Sequence, residues 1–363
     1  MAVSLLVAAF PESVAAQRHR LAVRLCTTCQ LRVSHLLRMG DVDGPGSLAD
    51  AVRTVAVDRF GNYYVVEYVE NWQILVFDAA GRHLRTVGRS GQGPGEYRRI
   101  DQLAIHGDTL FVIDPGNRRI TKTTLEGVPL QHIDIQAANV FRVAQISPRD
   151  LLMAAVIPTR ERAGLPLHVV DLETGAIRSF GDENPVYRPA GPPHLNMRVI
   201  SLSTSGQVWS ARRTAYELEL WNAGHESRVL GLFRDVEWFK PHLERPVGTA
   251  DPPPAWLSDI KELDAQTLAA LIVVPVDNYT EVLGPKRLID DFLQHDYSRL
   301  RELFDTVIEI IDVSTRTVIK SERVDQYLDG FIPGASRVYA IDNVDGVPVL
   351  DILTFAFNRG MLQ

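Results

Sequence analysis

The sequence predicts an all-β chain folded as a six-bladed β-propeller. Two observations carry that expectation. Short strand-like runs punctuated by glycine turns extend over most of the chain, and corresponding turns recur at a spacing in the forties. In residues 55–88, VAVDRFGNYYVVEYVENWQILVFDAAGRHLRTVG, strand-like runs over 63–68, 73–77 and 83–87 alternate with turn signals at Arg59-Phe60-Gly61-Asn62 and Asp78-Ala79-Ala80-Gly81. The next segment repeats the layout. Asn71-Trp72-Gln73-Ile74 and Asn117-Arg118-Arg119-Ile120 lie 46 residues apart, as do Gly81 and Gly127. Gly175 follows after 48 residues and Gly224 after 49. A sandwich of irregular meanders gives no reason for a spacing held through four units.

After Phe233 the rhythm breaks in a Pro-rich stretch with an extended Pro252-Pro253-Pro254. A buried strand is expected over 268–276. A helix is expected in GPKRLIDDFLQHDYSRLRELF, where Leu288, Phe292, Tyr297, Leu300 and Phe304 fall on helical spacing. Residues 234–304 therefore read as a partly helical insertion in the fifth unit, expected to cover one mouth of the ring. A hairpin turned at Ser314-Thr315 completes that unit, and Asp345-Gly346 turns a last hairpin. The sixth unit lacks an outer strand at the C-terminus. Near the N-terminus, Gly44-Pro45-Gly46 matches Gly93-Pro94-Gly95 in layout, so the strand over about 31–39 is expected outermost in the last blade. Pairing the two chain ends would close the ring and remove open edges.

Residues 55–88 resemble an NHL-type repeat, with Asp58 after the first strand and the pattern N-x-[QR]-I-x-V-F at Asn71 to Phe77. With GQGPGEY and a CxxC before the first unit, the chain is similar to six-bladed β-propeller proteins exported by bacteria, over about residues 26–358. That resemblance implies the fold and little chemistry, because the family has no single assigned reaction.

The totals narrow the partners. The chain has 363 residues, a net charge of −7 and scattered arginines, so no clustered basic surface points to nucleic acid. An apolar run over 3–10, followed by Val14-Ala15-Ala16, reads as a signal peptide over 1–16, cleaved to leave Gln17 at the start. This run is too short to span a bilayer, and no later stretch approaches the required ~20 apolar residues. A periplasmic or secreted monomer is expected, with a CxxC segment over 17–30, the propeller over 31–358 and a tail over 359–363. Cys26 and Cys29 are the only cysteines; a structural zinc site needs four ligands and covalent haem needs His where Gln30 stands. A local disulfide fits an exported chain.

No segment carries a self-contained catalytic motif. GRSGQGPGEY has no lysine after its glycines and offers G-x-G-x-G between strands, so it reads as a connector between blades. Tyr97 reads as a packing ring. The ten histidines form no H-x-H, H-x-x-x-H or HExxH arrangement, and no G-x-S-x-G elbow occurs. Asp58, Asp114 and Asp342 follow apolar strands, where such carboxylates brace turns. If they converged on the central channel they would suit calcium; no cofactor is otherwise implied. Glu67, Tyr68, Glu70 and Trp72 form an exposed-looking turn that reads as a binding rim. The functional expectation is a non-catalytic exported module that binds a peptide, glycan or protein partner. The alternative is a metal-assisted enzyme, lactonase-, lyase- or hydrolase-like, with its site at the central channel.

Overall fold

Tyr63, Tyr64, Val65 and Val66 are consecutive and all fully buried. Neighbouring side chains of a strand point to opposite faces, so such a run needs apolar cover on both sides. That requirement organises the fold. The computed structural model describes residues 17–41, 43–48, 52–67, 71–182, 197–240, 253–283, 287–289, 292–294 and 301–360. In it, Tyr63 and Val65 enter a core shared with the last sheet, while Tyr64 and Val66 enter one shared with the next sheet.

The chain opens with two short strands, β1 (Arg18–Arg20) and β2 (Ala22–Val23), and the longer β3 (Gln30–Met39). Blade 1 comprises β4 (Val52–Val57), β5 (Tyr63–Glu67), β6 (Ile74–Phe77) and β7 (His83–Val87). A small parallel pair, β8 (Arg89–Ser90) and β9 (Glu96–Tyr97), leads to blade 2. Its strands are β10 (Gln102–His106), β11 (Thr109–Asp114), β12 (Arg119–Thr124) and β13 (Pro129–Asp134). Blade 3 holds β14 (Asn139–Gln145), β15 (Asp150–Val156), β16 (Leu167–Asp171) and β17 (Ile177–Phe180). Blade 4 holds β18 (Arg198–Leu202), β19 (Val208–Arg212), β20 (Glu217–Asn222) and β21 (Ser227–Phe233).

Blade 5 is interrupted. Strands β22 (Trp256–Asp264) and β23 (Thr267–Pro275) are followed by a one-turn helix, α1 (Tyr279–Leu283), and a hairpin of β24 (Arg287–Ile289) and β25 (Phe292–Gln294). The blade resumes with β26 (Phe304–Asp312) and β27 (Thr317–Val324). Blade 6 joins β28 (Gly330–Phe331), β29 (Arg337–Val344) and β30 (Val347–Asn358) to β3, in the order β28-β29-β30-β3. The pairing runs antiparallel from Gln30↔Asn358 to Met39↔Leu350. These six sheets make a six-bladed β-propeller.

Six apolar cores lie between successive blades. Tyr97, Ile100 and Leu110 fill the seam of blades 1 and 2, and Trp209, Leu257 and Ile272 that of blades 4 and 5. Met39, Tyr63 and Ile352 fill the seam of blades 6 and 1. The N-terminal strands lie along the rim: β1 pairs in parallel with β21 of blade 4, and β2 with β27 of blade 5. Beyond them a Cys26–Cys29 disulfide precedes β3. At that seam the Cys26 amide donates to Ile319 O (2.8 Å), and the Arg359 guanidinium reaches Asp312 (2.6 Å).

Gly81, Gly127 and Gly175 each turn the outer hairpin of a blade at positive φ (83°, 89° and 74°), a conformation open to glycine at little steric cost. At the fourth equivalent turn the same role falls to Glu226 (φ 54°), with Asn222 Oδ1 accepting from the Gly224 and His225 amides.

Two sequence expectations are corrected. Residues 234–304 do not form one insertion, because β22 and β23, the two inner strands of blade 5, lie inside that range. Two excursions remain, over 234–255 and 276–303. The expected helix around Leu288 and Phe292 is instead a hairpin with Leu288↔Leu293 in register, and Phe304 opens β26. Helical spacing over so few apolar residues does not outweigh local strand pairing. Tyr297, Leu300, the signal peptide over 1–16, and residues 361–363 of the C-terminal tail lie outside the described residues. So does much of the segment expected to cover a mouth. Among the described residues no helix is long and apolar enough to cross a membrane.

Truncating Ile352, fully buried at the closing seam, should cost about 2–5 kcal/mol in Ile352→Ala. Leu36→Ala, at a residue 43% exposed on β3, should stay within about 0.5 kcal/mol. Urea unfolding of both variants checks this, and equal losses would mean that the seam core does not hold the ring. His168 gives a pH signature. It is fully buried in blade 3, with Nδ1 2.8 Å from Ser179 Oγ and Nε2 3.2 Å from Ala155 O, and burial pushes its pKa down to about 4. Between its ordinary value near 6.5 and 4, the unfolded chain binds a proton that the folded chain refuses. Stability should therefore fall by about 3 kcal/mol as pH drops through that window. His168→Gln should flatten the slope in denaturation midpoints taken at pH 7 and pH 4.5.

Candidate functional site

The first strands touch in succession from β4 through β10, β14, β18 and β22 to β28, and each runs from the connection that enters its blade to the blade's first turn. Each starts at the face that carries the blade-to-blade connections and ends at the face that carries the first turn of its blade. These are called here the far and near faces. Both excursions of blade 5 leave and return at the far face.

The near-face halves of the six inner strands line a cavity of about 420 Å³. Each blade contributes: Val57, Ile105, Ala144, Ile200, Lys261 and Ile332 are one residue from each. Much of the wall is aliphatic, and Phe331 is its one large aromatic ring. His106 and Leu202, at the ends of their strands, are exposed, so the cavity opens toward the near face.

The inner end of the cavity is bridged by charge. Arg142 of blade 3 places Nη2 3.5 Å from Asp259 Oδ2 of blade 5. Blade 4 lies between those two, so the side chain crosses the axis. Gly330 of blade 6 provides the space: a Cβ there would stand 2.7 Å from Asp259 Oδ2 and 3.3 Å from Arg142 Nη2. The Asp259 carboxylate also accepts from the amides of Ile260 and Phe331, both at 2.9 Å. Burial pushes its pKa up, with Arg142 pulling the other way. Burial works against the Arg142 charge as well, but Asp259 and Tyr339 outweigh it and hold the guanidinium protonated. Toward the far face, Arg301 grips Asp329 with two bonds (2.7 and 3.0 Å), and Ile341 N adds a third at 2.9 Å.

Two further charges stand in the cavity wall. Lys261 donates to Ala335 O (2.7 Å) and lies over the Phe331 ring. Burial depresses its pKa, opposed by Asp259. Glu262 is tied into the seam with blade 4, accepting from Thr204 N (2.7 Å), Thr204 Oγ1 (2.9 Å) and Trp209 Nε1 (2.8 Å).

The residues singled out by sequence lie elsewhere. Asp58 accepts from the Phe60 and Asn62 amides, both at 2.9 Å, and braces the first turn of blade 1 at the near face. Asp114 accepts from the Arg99 amide (3.0 Å) and Asn117 Nδ2 (2.7 Å) at the far face of blade 2. Asp342 is an exposed residue of β29, bonded to the amide of Asn343. These three carboxylates are not brought together, and the described residues contain no group of three His, Cys, Asp or Glu arranged to hold a metal.

In the connector at Gly93-Pro94-Gly95, the Glu96 carboxylate accepts from the Gln92 and Gly93 amides (3.1 and 2.9 Å), while Arg119 donates to Gly93 O (2.9 Å). In its counterpart at Gly44-Pro45-Gly46, Asp41 N donates to Gly46 O (3.1 Å). Leu48 there enters a seam core as Tyr97 does. Of the expected rim, only Glu67 and Trp72 lie among the described residues. Glu67 is buried, because it ends the two-sided strand β5. Trp72 is half-buried beneath the Arg53 guanidinium, and Tyr68 and Glu70 lie outside the described residues. Arg142, Asp259 and Lys261 were missed. A usable signal was the pair of charges two residues apart in WLSDIKELD, a run otherwise readable as an inner strand.

Residues 48–151 match the sequence profile of a family described as a 6-bladed beta-propeller. No curated protein sequence matches the chain significantly. Among solved structures, a member of the DUF4221 family from Bacteroides vulgatus is similar at 10% identity and a TM-score of 0.58, covering 92% of this chain and 99% of that one. A putative exported protein from Bacteroides fragilis is similar at 10% identity and 0.57, covering 93% and 99%. These likenesses establish the shared fold.

Removing the axial guanidinium would leave Asp259 buried without its countercharge. Arg142→Met should therefore destabilise the chain by about 3 kcal/mol, near the low end for a broken buried pair because Arg142 is a quarter exposed. Arg142→Met combined with Asp259→Asn should lose less than the two single losses added together. A double-mutant cycle by chemical denaturation reads this directly, and strict additivity would show the pair to be uncoupled.

Proposed function

We propose that the protein is an exported binding module that takes part of a peptide, glycan or protein partner into the near-face mouth of its channel. The observation that carries this reading is the cavity of about 420 Å³ built from all six inner strands. Its size falls within the range of ordinary ligand sites, and its walls are strand backbone held between seam cores. Such a site is largely preformed, which lowers the ordering cost of binding. At one mouth of the channel, short turns leave access open.

A channel-filling variant tests the reading. Ala144→Trp places an indole in the cavity wall, at a residue that also borders the core between blades 3 and 4. Wild-type protein and this variant, matched for thermal unfolding, would be applied to peptide and glycan arrays. Ligands that bind wild-type protein should lose at least about tenfold in affinity in the variant, since a site of this kind cannot absorb so large a side chain. Undiminished binding by the variant would place recognition elsewhere.

A further inference from the structure

We infer that the cavity is a receptor for the free C-terminal carboxylate of a peptide whose last side chain is aliphatic. This deepens the binding reading above and rests on it. The acids of the wall are already engaged: Asp259 accepts from two backbone amides and faces Arg142, and Glu262 accepts three bonds across the seam with blade 4. Its cations are not engaged in the same way. Lys261 has three N–H donors, and among the described residues its one hydrogen-bond acceptor is Ala335 O. No carboxylate there lies within ion-pair distance of it. Arg142 meets Asp259 through a single contact and otherwise donates to Phe141 O (3.1 Å), whereas Arg301 binds Asp329 through two short bonds.

Half-buried cations that face the cavity, Lys261 with no carboxylate partner among the described residues and Arg142 with a single contact to Asp259, leave donors that an anionic acceptor can take, and charge-assisted bonds are stronger than neutral ones. A carboxylate between Lys261 and Arg142 would supply it. The rest of the wall decides what carries that carboxylate. Val57, Ile105, Ile200 and Leu202 offer aliphatic surface. An aliphatic final residue would bury its side chain there with its carboxylate at the charged inner end. A uronic-acid glycan presents hydroxyls over its whole surface; it would find His106, Gln145 and Ser201 as neutral partners but would set hydroxyls against the aliphatic Val57, Ile105, Ile200 and Leu202.

The test uses N-acetyl-Gly-Ala-Leu-Val as the free acid and as the C-terminal amide, titrated calorimetrically into the full chain. The free acid should bind at least about tenfold more tightly than the amide, the loss expected when a charge-assisted pair is removed. Lys261→Gln should bring the free acid down to the level of the amide with little change in thermal unfolding, and Lys261→Arg should restore most of the difference. Equal binding of acid and amide would overturn the inference. So would tighter binding of trigalacturonate than of the peptide, which would leave a channel site with a different ligand class. If wild-type protein binds neither, the carboxylate inference falls. The array comparison with Ala144→Trp then separates that failure from failure of the binding reading itself.

Discussion

Two-sided burial of every blade is the constraint on which the rest of the structure depends. A four-stranded sheet with apolar residues on both faces cannot stand alone in water, nor can two such sheets cover each other's outer faces. A ring can, because each sheet covers its neighbour and the last covers the first. Val65 and Val66, adjacent in sequence, serve different seams, and the same holds along β11, β15, β19 and β23. Closure through β3 is then a matter of energetics as well as shape. Without that strand, Met39 would leave the core it shares with Leu350 and Ile352, and β30 would be left with an open edge.

Dry seams are costly for polar groups, and the buried acids Asp101 and Glu309 are met there by partners from neighbouring blades. Asp101 is fully buried, yet it receives Arg53 from blade 1, Arg99 (3.0 Å) and the Val140 amide of blade 3 (2.8 Å). Gln102 links Thr54 to Phe141 O across the same three blades (3.3 and 2.9 Å). Glu309, also fully buried, takes Tyr216 of blade 4 (2.6 Å) and Arg234. Apart from the local Arg99–Asp101 contact, these bonds join neighbouring blades, so satisfying the groups also fixes how the blades are stacked. The axis differs. There the polar groups come from blades that are not neighbours, and Lys261 in particular has no carboxylate partner among the described residues.

The ring was legible in the sequence because its signals are local. A positive-φ turn at Gly81, Gly127 or Gly175 is imposed by backbone sterics, and the repeat length follows from four strands and their turns. The match between Gly44-Pro45-Gly46 and Gly93-Pro94-Gly95 was legible for the same reason. Blade 5 was misread where local signals compete. Leu288 and Phe292 fit a helical spacing, while the hairpin that forms depends on pairing visible only in three dimensions. The site was illegible for a deeper reason. Arg142 and Asp259 are more than a hundred residues apart, and nothing in either neighbourhood states that they meet across the axis. Glu67 and Trp72 looked like a rim because charged and aromatic residues in a turn usually are exposed; strand β5, covered on both sides, buries the first of them.

The separation of seams from axis also explains how this architecture can carry a specific site on so ordinary a core. Seam residues are fixed by packing on two sides, so a change at Ile272 or Val112 disturbs two blades at once. Channel residues such as His106 and Lys261 belong to no seam core and can differ in size or charge with less effect on the sheets. Chemistry can therefore be placed on the axis at little cost to the ring, provided that buried charges remain balanced. The Arg142–Asp259 bridge meets that condition at the inner end of the cavity. Lys261, two residues along the same strand as Asp259, meets it only through a backbone carbonyl and an aromatic face. A group that has every structural reason to be paired and is not is where a ligand has most to contribute.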